Sequence, residues 1–153
     1  MRIDALRDTR GESVKQTPRE LARMKELTRK QATRYGIAAI VAVNALQAFN
    51  GIVCYHMSPS QFFASWAIFI LIPLVPALVS LLTANPLRAV GASVLFAPWL
   101  VFAYYTDCIR PYTGGGASMV YVAVLMWGTP SAIVGALVTG PVLRLVGVRV
   151  GGR

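Results

Sequence analysis

The chain has 153 residues, of which 56% are hydrophobic and 14% charged, with a formal net charge of +9. Charged residues make up about a quarter of an ordinary soluble domain, so this chain lacks the means to cover a soluble globule, and its length suits one domain. Its charges are also segregated: residues 1–34 hold ten of the fifteen Lys/Arg and five of the six acids, and beyond them only Arg88, Asp107, Arg110, Arg144, Arg149 and Arg153 are charged.

Residues 1–34 form a basic N-terminal segment. It is too long and polar to be the leader of a secretory signal and too interrupted by acids to be a mitochondrial presequence. No RNA-stacking aromatic motif or zinc-ligand spacing accompanies its positive charge, so nucleic acid is not the expected partner. The expected partner is the bilayer, whose anionic lipids attract basic residues such as Arg23, Lys25, Arg29, Lys30 and Arg34. Thr17-Pro18-Arg19-Glu20 carries a capping Thr, Pro at the first helical position and Glu at the third. A helix is therefore predicted from about Pro18 to Arg34, with Leu21, Met24, Leu27 and Ala32 roughly on one side and Glu20–Arg23 and Glu26–Lys30 at ion-pair spacing. It reads as a cytoplasmic amphipathic helix on the bilayer, or as a solvated lead into the first span.

The domain that follows, residues 35–145, contains four apolar runs, about Tyr35–Tyr55, Gln61–Thr83, Leu87–Tyr105 and Ser118–Val142. Each has the roughly 20 residues that cross a hydrocarbon core as a helix, and helix is the structure that satisfies the backbone there. The predicted class is all-α: a polytopic membrane protein with four transmembrane helices. Helix starts are predicted near 59, where Ser58-Pro59-Ser60-Gln61 repeats the capping signature, and near 86, where Pro86 follows Asn85.

Span one carries Asn44, Gln47 and Asn50 with Gly51 and Cys54. At about 100° per residue, Asn44, Gln47, Gly51 and Cys54 share a stripe that should face other helices, either as interhelical glue or as part of a ligand or ion path. Span four has one small-residue row, Gly128, Ala132, Ala136 and Gly140, and a second, Ser131, Gly135 and Thr139; Ala89, Ser93 and Ala97 give span three a matching row. Such rows serve packing of spans three and four, or an oligomer face. Pro73, Pro76, Pro98 and Pro130 interrupt the later spans as kinks, and Pro130 in Gly128-Thr129-Pro130-Ser131 raises the alternative of a broken helix. Tyr55, Phe62, Phe63, Trp66, Trp99, Tyr104, Tyr105 and Tyr121 gather toward one end and suit an interfacial belt.

Basic residues alternate along the connections: many before span one, none in His56–Ser60, Arg88 after Ala84–Pro86, Arg110 alone in the third, and Arg144, Arg149 and Arg153 at the end. This pattern predicts both termini, including the short basic tail 146–153, on the cytoplasmic side of a bacterial-type inner membrane. Cys54 and Cys108 then lie at one outer interface, and as the whole cysteine complement they are predicted to pair in an oxidising compartment.

Signals for chemistry are weak. Gly114–Gly116 lacks the lysine of a phosphate-binding loop and reads as a turn into span four. His56, the single histidine, offers with two cysteines too few ligands for zinc. No carboxylate lies inside a span, which disfavours a proton-coupled carrier. No cofactor and no catalysis are expected. The leading expectation is a non-catalytic interaction protein, an accessory, assembly or immunity-type subunit that binds another membrane protein or forms a homo-oligomer; the alternative is a small oligomeric channel or transporter. The four-pass plan with both ends inside is similar to that of immunity proteins against pore-forming toxins, a likeness of architecture alone.

Overall fold

A computed structural model of the chain describes residues 25–110 and 119–151. Four helical spans follow one another, Arg29–Cys54, Pro59–Leu82, Arg88–Ile109 and Val120–Leu145, each long and apolar enough to cross a membrane. Two short strands flank them, β1 at Lys25–Thr28 and β2 at Val148–Gly151.

Span one starts at Arg29, ahead of the expected Tyr35, because Thr28 caps it. The Thr28 hydroxyl accepts from the Gln31 amide, Gln31 reaches back to the Thr28 backbone, and Thr28 itself is extended at φ −66°, ψ 148°. This box starts a helix at Arg29, within the stretch that the sequence predicts as one helix from Pro18 to Arg34. Residues 18–24 and Arg23 lie outside the described residues, but Lys25–Thr28 is strand, so Glu26 is not helix-spaced with Lys30. Instead β1 runs parallel to β2, with Lys25 opposite Val148, Glu26 opposite Arg149 and Leu27 opposite Val150. Val148 and Val150 suit an extended backbone, and residues expected to be tail thereby join the segment ahead of span one.

Span two starts where its signature places it, with Ser58 and Gln61 capping each other ahead of Pro59. The third begins with a tight turn. The Leu87 amide donates to Asn85 Oδ1 (3.3 Å), the Ala89 amide bonds Pro86 O (3.1 Å), and regular helix follows from Arg88. The first and third spans end in π-helical turns, Asn50–Cys54 and Tyr105–Ile109, and a third such turn, Ala67–Leu71, precedes Pro73. Pro73 has no N–H to donate to the carbonyl four residues before it, and the wider turn lies at that interruption of the regular ladder. Around Pro130 helix runs unbroken from Val120 to Leu145.

Span three is the centre of the bundle and packs against the other three. Its Phe96 and Leu100 are fully buried with Ile70 of span two and Val124 of span four. Outside, Ile37, Val41, Val79, Val101, Met126 and Leu137 are exposed. The exterior of the spans is thus apolar, the reverse of a soluble bundle.

Candidate functional site: a polar seam closed by a disulfide

Three amides of span one each reach a different neighbour. Asn44 Oδ1 accepts from Trp66 Nε1 of span two (2.6 Å), while its Nδ2 bonds the Ile40 carbonyl (2.8 Å). Gln47 Oε1 accepts from the Tyr121 hydroxyl of span four (3.2 Å). Asn50 Nδ2 donates to the Leu100 carbonyl of span three (3.1 Å). Gln47 and Asn50 are fully buried. Gly51, also buried, gives room to Phe62: a Cβ there would stand 2.9 Å from Phe62 Cδ2. Asn50 lies outside the stripe that a regular helix draws, yet it is as buried as Gln47. The buried face of span one is therefore wider than the stripe, and the π turn that begins at Asn50 changes the angular register of the residues after it.

Above these amides, Cys54 and Cys108 form the expected disulfide, with Cα atoms 5.7 Å apart. Each cysteine sits in one of the π-helical turns that end spans one and three. Beside the bridge the Tyr55 hydroxyl donates to Asp107 Oδ2, and the Tyr55 and Tyr121 rings meet edge to face at 5.6 Å. Burial, and then the hydrogen bond to Asp107, pushes the Tyr55 hydroxyl well above its usual range. His56 next to it is exposed and holds a left-handed φ of 47°. With both thiols in the bridge, no cysteine ligand remains to join His56. Among the described residues no group of three His, Cys, Asp or Glu could hold a metal.

Two buried amide atoms of this seam, Gln47 Nε2 and Asn50 Oδ1, have no hydrogen-bond partner. With Ser93 Oγ and Arg88 Nε elsewhere in the bundle, they make up the buried side-chain polar atoms without a partner among the described residues, at about 1–3 kcal/mol for each buried group left unsatisfied.

The small rows of span four face span three of the same chain. Gly128 abuts the Phe96 ring, with a Cβ there 2.7 Å from Cε2. Ala132 and Ala136 are buried, and a Cβ on Gly135 would strike the Gly91 backbone and come within 3.0 Å of Ala92 Cα. Ser131 accepts from Trp99 Nε1 (2.9 Å), and Thr139 Oγ1 turns back onto the Gly135 carbonyl (2.5 Å). Gly140 leaves space for the Arg88 guanidinium, whose Nη2 would be 3.3 Å from a Cβ. Span three meets Gly135 through Gly91 and Ala92, not through the expected row of Ala89, Ser93 and Ala97; Ala89 lies against span one, its Cβ 3.2 Å from where a Cβ on Gly36 would stand. The rows are therefore occupied within the chain, and an oligomer face made of them would require opening the pair.

Trp66 and Trp99 are not simple members of an interfacial belt, since both indole N–H groups bond inward. A buried indole normally finds a partner; here Asn44 and Ser131 supply one. At the opposite end of the bundle Arg29, Lys30 and Arg34 are exposed on the first turns of span one, with Lys25 in β1 before them.

No protein-family model matches the chain, and no curated protein or solved structure matches it.

Proposed function

We propose that the chain is an integral protein of a bacterial-type inner membrane, with both termini in the cytoplasm, that works without catalysis by binding another membrane protein as an accessory, assembly or immunity-type subunit. The observation that carries this reading is the inversion of polarity: residues such as Val41, Val79, Val101 and Leu137 face outward while Gln47, Asn50 and Ser93 are buried. Lipid and apolar protein are the surroundings that suit such an exterior. The two ends differ in charge. Lys25, Arg29, Lys30, Arg34, Arg88, Arg144 and Arg149 belong to one, Asp107 and Arg110 to the other. This supports placing the first end in the cytoplasm.

Filled packing between the spans, around Phe96, Ile70, Leu74 and Leu100, favours an interaction role over a conduit. The expectation that no carboxylate lies inside a span is corrected by the extension of span three to Ile109, which takes in Asp107; Asp107 sits in the last turn of that span and Glu26 in β1, so neither described acid is at mid-span, where a proton-coupled carrier would place one. Because the amide stripe and small rows are used internally, the partner surface falls on the outward-facing apolar residues. Pro59–Trp66 has no buried residue and exposes Phe63. A small channel or transporter is the second reading, and the unpartnered Gln47 Nε2 and Asn50 Oδ1 favour it.

Affinity purification from membranes in mild detergent separates the two. Recovery of a different membrane protein in fixed proportion supports the interaction role. A lone homo-oligomer that passes ions in liposomes replaces it with the second.

A further inference from the structure

At the basic end of the bundle a cavity of about 770 Å³ opens between the turn that joins spans two and three, the end of span four, and β2. Arg88, Arg144 and Arg149 line it together with Thr83, Asn85 and Gly140. Among its described lining residues there is no carboxylate. Arg88 and Arg144 bring two like charges to one space.

Arg88 is the most committed of the three. It is half-buried, and its Nε is fully enclosed without a hydrogen-bond acceptor. Its guanidinium rests against Gly140, where any larger side chain would displace it. Arg144 reaches the cavity from the last turn of span four. Arg149 arrives on β2, which is held in place by parallel pairing with β1. β2, a strand absent from the sequence expectation, thus forms one wall of the cavity.

We propose that this cavity binds a phosphate group, carried either by the headgroup of an anionic phospholipid or by a free phosphate ion. The arginine fork matches phosphate oxygens in pairs, and charge-assisted bonds of this type are the strong ones. A basic pocket between helix ends at a cytoplasmic surface is where an anionic headgroup fits. The lipid source rests on the membrane reading above; the anion site does not, and neither depends on a protein partner.

The test is calorimetric titration of the full chain in maltoside detergent with dihexanoyl phosphatidic acid, dihexanoyl phosphatidylcholine and inorganic phosphate. Saturable binding of phosphatidic acid is expected, at least tenfold tighter than of the choline lipid. Arg88→Gln and Arg144→Gln should each weaken it by about tenfold or more, while Leu137→Ala on the outward face leaves it unchanged. Phosphatidic acid much tighter than inorganic phosphate assigns a lipid headgroup; equal affinity assigns free phosphate. Retention of the Cys54–Cys108 bridge reports folding of each variant, and exposed Arg144 carries the test if Arg88→Gln fails to fold. Absence of saturable binding by either anion, or affinities unmoved in the folded variants, overturns the site.

Discussion

Gly135 shows how much one missing methyl group matters. Its Cα faces Gly91 and Ala92 of span three so closely that a Cβ would stand 2.7 Å from the Gly91 carbonyl carbon. Two turns of backbone meet there, and neither can move aside as a side-chain tip could. Gly135→Leu is expected to destabilise the protein by about 1–3 kcal/mol or more, the range for forced overpacking. Leu137, two residues on, is 62% exposed, and Leu137→Ala should stay within about 0.5 kcal/mol. Thermal unfolding of the purified variants in detergent distinguishes these outcomes; equal shifts would contradict the packing. Tyr55 gives a pH signature. Its hydroxyl titrates above the ordinary tyrosine value in the folded chain, so the unfolded chain loses that proton first as pH rises. The stability this group contributes is therefore complete below about pH 10, the unperturbed value, and declines above it. Tyr55→Phe should flatten part of the alkaline loss seen in the parent's unfolding profile. An unchanged alkaline limb would count against the burial of the Tyr55 hydroxyl beside Asp107. Some of this was readable from sequence and some was not. The stripe of Asn44, Gln47 and Gly51 follows from helical spacing. Asn50 does not, since regular spacing puts it about 40° beyond the edge of that stripe, and the buried face proves wider than the stripe. The inward bonds of Trp66 and Trp99 also escape a composition-based reading, although a mid-span amide or serine opposite a tryptophan is a usable signal.

Among elements, spans two and three begin close to their Pro-containing signatures. The helix of span one starts at Arg29, a point the sequence reading did not mark, because Thr28 and Gln31 form a capping box without a proline. The strand pair had no local signal at all: four residues carry little periodicity, and the partner of β1 lies at the far end of the chain. The disulfide is the clearest link between elements. It joins spans one and three across a sequence separation of 54, a loop whose closure is worth roughly 4 kcal/mol in the chain-entropy description. That figure is an upper bound where membrane insertion already restricts the unfolded chain. Cys54→Ser should lower the unfolding midpoint, and reductant should lower that of the parent but not of the variant. In the denatured parent, thiol labelling should be absent before reduction and cover both cysteines after it. Full labelling before reduction would exclude the bridge.

At the scale of the whole molecule, the four spans leave their ends in two unlike sets. One set gathers most of the basic residues, the strand pair and the arginine-lined cavity; the other holds the disulfide, Tyr55, Asp107 and Arg110. This polarity comes from the spacing of charges along the sequence, and the antiparallel succession of helices converts it into two faces. The proposed function rests on that arrangement standing across a membrane, with its basic set inside. A topology reporter tests this most directly. Fused after Arg153, a reporter active only outside the cytoplasm should be silent, and inserted after Gly115, between spans three and four, it should be active. Activity at Arg153 together with silence at Gly115 would contradict the orientation, and equal activity at both positions would contradict the fourth crossing.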